Sequence, residues 1–140
     1  MTFRFLPDVA IADVAFLARA PSLSGLFESS AEALTEVMVD RRSLRPVVER
    51  EISLSAEDLD RLLYDFLTEL IILKDVDSLL FKVFKVEIDE NGPHLSCLMK
   101  GEQIDRVRHK LRNDVKAVTM HMFGIKKERK GWSATVVLDI

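Results

Sequence analysis

Two aspartates stand inside apolar segments of this 140-residue chain. Asp13 lies between Ala12 and Val14, and Asp139 follows the apolar run 136–138 at the penultimate position. A carboxylate among apolar side chains is costly unless it is paired, hydrogen-bonded or bound to a metal ion. If the two faced each other, with backbone carbonyls nearby, they would suit a hard cation such as Ca²⁺ or Mg²⁺. Spacing alone leaves the alternative open that Asp139 is exposed at a fraying end and Asp13 caps a turn.

A second group of candidate residues is basic and precedes a predicted strand: Arg106, Arg108, His109, Lys110, Arg112 and Lys116. Such a cluster could meet phosphate groups or an acidic partner surface, although a charge run in a loop is more often a solvated face. Lys116 is predicted to share a strand face with Val118, Met120 and Met122, which would half-bury its stem. A further basic run over residues 126–130 is predicted to form a hairpin tip that serves solubility.

Familiar catalytic signatures are missing from the sequence. It contains no GxGxxG, GxxxxGK[ST], HExxH or GxSxG pattern, so the nucleotide-binding, zinc-protease and hydrolase classes lose their main supports. Cys97 is the one cysteine and can form neither an internal disulfide nor a CxxC zinc site. Its apolar neighbours indicate core packing rather than a nucleophile.

Composition limits the partners. The 20 basic and 23 acidic residues leave a net charge of −3, so the chain as a whole does not attract a phosphate backbone and a dedicated DNA-binding role is disfavoured. No apolar run approaches the ~20 residues of a membrane span, and the N-terminus lacks the apolar stretch of a signal peptide. A soluble protein of the reducing cytoplasm, without membrane contact, is expected.

The hydrophobic periodicity predicts an α+β fold in one domain over residues 1–140. A helix should follow Pro21-Ser22, and a second should follow a capping box at Ser55 whose third position is Asp58. Alternating segments joined by short turns predict a largely antiparallel β-sheet, packed in two layers against these two main helices. Among the predicted strands is a long one that begins at Val115 and reaches Lys126.

Several of these segments together resemble the archease family, in order along the whole chain. The matching segments are Phe5-Leu6, then Ala12-Asp13-Val14-Ala15-Phe16, the helix from Glu57 to Leu70, Gly101-Glu102, Asp105, Arg108-His109, Asp114 to His121, and Val137-Leu138-Asp139-Ile140. The opening departs from the pattern, because Ala10-Ile11 stands where the family has His-Thr and two extra residues fall between Leu6 and Asp13. The family histidine is therefore absent, and Asp8 is a candidate substitute carboxylate.

The resemblance implies an accessory protein with a metal site rather than an enzyme. Archeases activate an RtcB-type RNA ligase in tRNA splicing, promoting its GTP-dependent guanylylation and repeated turnover. Asp13 and Asp139 match the family's ligands for a divalent cation, Ca²⁺ first and Mg²⁺ or Mn²⁺ as alternatives, and Ile140 is placed to add a backbone ligand. Lys116, Arg108 and His109 would contact the ligase or its GTP phosphates, and tRNA would be met through the ligase. Because the site lies at the chain end, residues added after Ile140 should impair activity.

Three other functions compete with this reading. A stand-alone metal-dependent phosphoester hydrolase would use Asp13 and Asp139 for the ion and His109 or His121 as base. A chaperone or adaptor for nucleic-acid-modifying proteins would need neither aspartate. A plain structural domain would need no site at all.

Overall fold

The strands of this protein pair antiparallel in two separate sheets. The computed structural model describes residues 1–7 and 13–140. Within these residues the helices and strands are β1 (Thr2–Phe5), β2 (Asp13–Ala20), α1 (Leu23–Met38), β3 (Val48–Ser55), α2 (Leu59–Asp77), β4 (Leu79–Asp89), β5 (His94–Gln103), β6 (Ala117–Val118), β7 (Gly124–Glu128) and β8 (Gly131–Asp139). The first sheet has the order β1-β2-β8, with β6 and β7 both paired to the far edge of β8, and the second has the order β3-β5-β4.

Helix α1 is buried on nearly every side because it lies between the sheets and packs on β2 and β4. Ser22 caps its first turn, accepting the Gly25 N–H at 3.0 Å. The predicted face of apolar residues is buried, and so are Ser29, Ser30 and Thr35. Each of these three hydroxyls donates to a backbone carbonyl, at 2.8 to 3.0 Å, which satisfies the polar groups that burial would otherwise penalise.

Helix α2 is amphipathic, as its sequence predicts. Its stripe Leu62, Leu63, Phe66, Leu67, Leu70 and Ile71 is buried, while Asp60 and Arg61 are exposed. The helix ends at Ser78, whose left-handed backbone (φ 55°) lets its N–H reach the carbonyls of Leu73 and Lys74. Phe27 of α1 and Phe66 of α2 have ring centroids 6.0 Å apart, within one hydrophobic cluster that joins both helices to both sheets.

The α+β class, the two helices and the antiparallel strands are confirmed, and three details differ from the sequence prediction. The strands divide into two sheets rather than one. The long strand predicted from Val115 to Lys126 is replaced by β6 and β7, separated by a turn in which Met122 has a positive φ of 57°. The break arises because both short strands pair with the same edge of β8 and the chain must leave that edge and return.

The third difference concerns the start of α2. Asp58, rather than Ser55, is the N-cap, and its Oδ1 accepts the Arg61 N–H at 2.8 Å. Ser55 is the last residue of β3, where its Oγ bonds Nδ1 of His94 at 2.8 Å. Pairing of β3 with β5 holds Ser55 in the ladder and leaves the cap to the acidic residue next to the helix.

No helix among residues 1–7 and 13–140 combines the length and the apolar character of a membrane span.

We expect Asp58→Ala to lower the free energy of unfolding by about 1 kcal/mol, since the first turn of α2 loses its cap. Ser55→Ala is the matched control and should cost less, because its hydroxyl bonds an imidazole on the sheet surface instead of a helix N–H. Urea unfolding curves measure both. A larger loss of stability for Ser55→Ala than for Asp58→Ala would show that Ser55, and not Asp58, caps α2.

Candidate functional site

The two aspartates of the predicted metal site lie directly opposite each other. Strands β2 and β8 pair over eight residues, and the first pair of this register is Asp13 with Asp139. Ala117 of β6 faces Asp139 from the other side, so three strands form one row at the sheet end. Both carboxylates are half-buried. The fold therefore brings together two acidic groups that are 126 positions apart in the sequence.

Such a row suits a cation. Directly opposed residues of antiparallel strands hold their Cβ atoms about 4.5–5.5 Å apart, and like charges at that spacing repel each other. A hard divalent cation between the two carboxylates would remove the repulsion and accept their oxygens as ligands. Ile140 follows at once, and its backbone could add a further oxygen.

Two carboxylates are all that the described part of the chain brings to this row. Within it, no three His, Cys, Asp or Glu side chains are grouped closely enough to hold an ion. A bound cation would therefore draw its remaining ligands from backbone oxygens and water. Asp8, the proposed substitute carboxylate, and Ala10-Ile11 lie outside the described residues.

Lys116 reaches this row through the backbone. Its N–H donates to the Asp139 carbonyl at 2.8 Å, and the preceding Val115 is fully buried. The Lys116 side chain is exposed, as are Met120 and Met122. The half-buried stem predicted for Lys116 is therefore wrong, because β6 is too short to carry the predicted strand face. The exposed side chain is free to meet a partner, and this role stays a prediction.

A buried lysine that the sequence analysis missed, Lys74, binds the two residues that precede Lys116. Lys74 is 8% exposed, and its Nζ donates to the Val115 carbonyl at 2.7 Å and to Asp114 Oδ1 at 2.5 Å. The hydrogen bond from Lys74, reinforced by its charge, lowers the pKa of Asp114. A signal was available, since Lys74 falls three and four places beyond Ile71 and Leu70, on the buried stripe of α2.

The basic segment 104–116 is also tied to the C-terminal end of α1. The Arg112 N–H donates to the Met38 carbonyl at 2.8 Å, and the Asp40 N–H donates to the Lys110 carbonyl at 2.9 Å. The guanidinium of Arg112 donates to the Glu36 carbonyl at 2.9 Å and to its carboxylate at 2.6 Å. A cation at a helix C-terminus also complements the helix dipole. These contacts order a segment that has almost no regular structure of its own.

Arg108 and His109 serve inside the protein. His109 Nδ1 accepts the Asp105 N–H at 2.9 Å, so its proton lies on Nε2, which donates to Glu102 Oε1 at 2.9 Å. Glu102 also accepts the Arg45 N–H at 2.8 Å and forms an ion pair with Arg108. The His109 side chain has no exposed surface.

The expectation that His109 touches a partner is therefore wrong for this conformation, because burial puts its ring out of reach. Arg108 is partly exposed, but its guanidinium is engaged by Glu102 and by the Ser43 carbonyl at 3.2 Å. Burial removes His109 as the general base of a hydrolase as well. Cys97 is buried, and burial raises its thiol pKa to about 12, which fits the predicted packing role.

The pKa of His109 is lowered from the ordinary 6.5 by burial first and by the Arg108 charge second. Below the ordinary pKa, the unfolded chain binds a proton at His109 more readily than the native protein does. The free energy of unfolding should therefore be highest above that pKa and fall as the pH drops below it. We expect a lower urea midpoint near pH 5.5 than near pH 7.5, on either side of an ordinary histidine pKa.

His109→Asn should be less stable at the higher pH and lose less on acidification, whereas exposed His121→Asn should keep the wild-type dependence. If wild type and His109→Asn lose equal stability on acidification, groups other than His109 cause the pH dependence.

The chain is similar to known proteins over almost its whole length. The model of the Archease protein family matches residues 3–140. The chain is 41% identical to protein archease of Methanothermobacter thermautotrophicus over 131 residues, which cover 92% of this chain and 93% of the relative. It is 37% identical to protein archease of Pyrococcus abyssi over 132 residues, again 92% of this chain and 93% of the relative.

Solved structures give the same result. The solution structure of Methanobacterium thermoautotrophicum protein 1598 is similar with a TM-score of 0.86 and 40% identity, covering 99% of this chain and 98% of that one. The crystal structure of a Thermotoga maritima archease, described as a possible chaperone, shares the fold with a TM-score of 0.66 and 20% identity, covering 94% and 93%. The chain therefore belongs to the archease family.

Proposed function

We propose that this protein is a non-catalytic activator of an RtcB-type RNA ligase in tRNA splicing, acting through a divalent cation held at the Asp13–Asp139 row. The observation that carries the proposal is the direct pairing of these two aspartates in the β2–β8 register. Without a cation, two carboxylates in directly opposed positions repel each other. The ligase is proposed as the partner because the sequence resembles archeases.

Asp13, Asp139 and the Ile140 backbone would hold the ion, Ca²⁺ first and Mg²⁺ or Mn²⁺ as alternatives. The bound cation would supply positive charge to phosphate oxygens near the ligase's nucleotide site. Lys116 is hydrogen-bonded to Asp139 through its backbone and has an exposed side chain, which would add a second positive group. Arg108 would act by holding the loop that leads to Lys116, through its ion pair with Glu102. tRNA would be met through the ligase, and a reducing cytoplasm would suit the free thiol of Cys97.

Two other functions remain as alternatives. A chaperone or adaptor draws support from the description of the Thermotoga maritima relative and from the exposed Met120 and Met122, since methionines adapt to varied partner surfaces. It would protect unrelated clients without needing Asp139. A stand-alone phosphoester hydrolase has lost His109 as a base and keeps exposed His121. It would show turnover in the absence of a ligase.

We expect Ca²⁺ to bind the protein alone, with Asp139→Asn weakening the affinity by more than the roughly 10–100-fold that loss of a second-shell partner costs. Asp77→Asn is the control, because Asp77 is an exposed carboxylate at the end of α2. Isothermal titration with Ca²⁺, Mg²⁺ and Mn²⁺ measures all three proteins. Equal affinities for wild type and Asp139→Asn would contradict the site.

The activating role is tested by ligation with limiting ligase, GTP, Mn²⁺ and excess broken RNA. Wild type should convert ligation of few turnovers into many, and Asp77→Asn should do the same. Asp13→Ala and Asp139→Ala should fail, because the row then carries one carboxylate and holds the cation poorly. Full activation by both alanine variants would separate the function from the metal site, and no effect of wild type would refute the activator role.

A further inference from the structure

A groove lies at the end of the β2–β8 ladder opposite to the two aspartates. The last pair of that register is Ala20 with Trp132, and the groove beside it has a volume of about 420 Å³. Its walls are the β7–β8 hairpin tip and the end of β2; the lining residues include Arg19, Ala20, Pro21, Glu128, Arg129, Lys130, Gly131 and Trp132. None of these residues takes part in the proposed metal site.

Gly131 fixes the shape of the groove. Its φ of +147° is a conformation that L side chains rarely adopt, and a Cβ at this position would come within 2.3 Å of the Ala20 carbonyl oxygen. The hairpin tip can therefore lie close against the end of β2. The same tight turn presents Arg129 and Lys130 at its two central positions, because Glu128 pairs with Gly131 across it.

The groove is positive on a chain that is negative overall. Arg19, Arg129 and Lys130 line it and are exposed, against one carboxylate, Glu128. Glu128 accepts from Arg19 Nε at 3.2 Å and leaves Arg129 and Lys130 to face solvent. A local net charge of about +2 attracts phosphate where the whole chain, at −3, does not.

Trp132 separates this groove from an acidic one. The half-buried indole has Lys127 Nζ 5.3 Å from its ring centroid and borders both grooves. The second groove is lined by Glu57, Asp58, Asp60 and Glu90. A polyanion would be repelled there and directed to the basic side, where the floor of Ala20 and Pro21 is apolar. The basic side thus combines an aromatic ring, apolar surface and several cations.

We infer that this groove binds single-stranded RNA, with about two phosphates on the basic hairpin tip and a base against Trp132 and the apolar floor. Aromatic rings beside basic side chains form the usual platform for unpaired nucleic acid, because every base has a face that can stack. The inference goes beyond activation of a ligase, since it gives this chain its own contact with RNA. It does not depend on the cation or on Lys116.

Trp132 is the one tryptophan of the chain, so its fluorescence reports this site directly. The protein alone, without ligase or metal, is titrated with an oligouridylate of about ten nucleotides at about 50 mM salt, and anisotropy of a labelled oligomer gives the affinity. We expect quenching that follows the anisotropy, with affinity falling on added salt at a log–log slope of about −1.4, for two phosphate contacts at roughly 0.7 each.

Matched variants locate the binding. Arg129→Gln/Lys130→Gln should weaken affinity roughly tenfold, whereas Lys85→Gln/Lys100→Gln, which removes the same charge from exposed positions of the other sheet, should not. Glu128→Gln should tighten it severalfold, because Arg19 is released and a carboxylate is lost.

Equal losses in the two double variants would overturn the inference. So would binding without quenching, or a polyglutamate peptide that binds as tightly as the RNA and so marks an acidic protein partner. Because no ligase is present, failure here is distinct from failure of the proposed activation.

Discussion

The antiparallel pairing of β2 with β8 is the constraint on which the rest of the structure depends. It joins a strand near the start of the chain to the strand at its end, over eight residue pairs from Asp13–Asp139 to Ala20–Trp132. One end of this ladder carries the carboxylate row and the other borders the basic groove. A slip of one residue would turn each of these side chains to the opposite face of its strand, so burial of Phe16, Val136 and Leu138 also determines the register of both sites.

Buried polar contacts order the segment between β5 and β6, which regular pairing does not. Lys74 holds Val115, Arg112 holds the end of α1, and Glu102 joins His109 to Arg108. Each buried charge here has a charged or carbonyl partner, as burial requires. As a result, much of the positive charge of this segment is paired within the protein. Lys116, at its end, has an exposed side chain, and its backbone is hydrogen-bonded to Asp139 of the carboxylate row.

Helices and strands with a regular spacing of apolar residues were predictable from the sequence. Positions where two neighbouring elements compete for the same residues were not. The buried stripe of α2 follows from the local spacing of apolar residues, and the structure has it. The start of α2 was misassigned, since Ser55 and Asp58 can both cap a helix and pairing of β3 with β5 decides between them. The strand predicted from Val115 to Lys126 is wrong for a similar reason. Alternation of apolar and polar residues does not show how many positions along the edge of a neighbouring strand, here β8, are available for pairing.

The sequence by itself determined the α+β class, the family and the two candidate aspartates, because periodicity and residue type are local properties. Only the tertiary structure decided that Asp13 and Asp139 are neighbours, that His109 is enclosed and that Lys74 is part of the site's support. It also turned a basic hairpin that looked like ordinary solvated surface into one wall of a groove beside Trp132. The physical reason is that the interactions of a charged side chain depend on its burial and on its distance from other charges. Both are set by contacts between residues far apart in the chain.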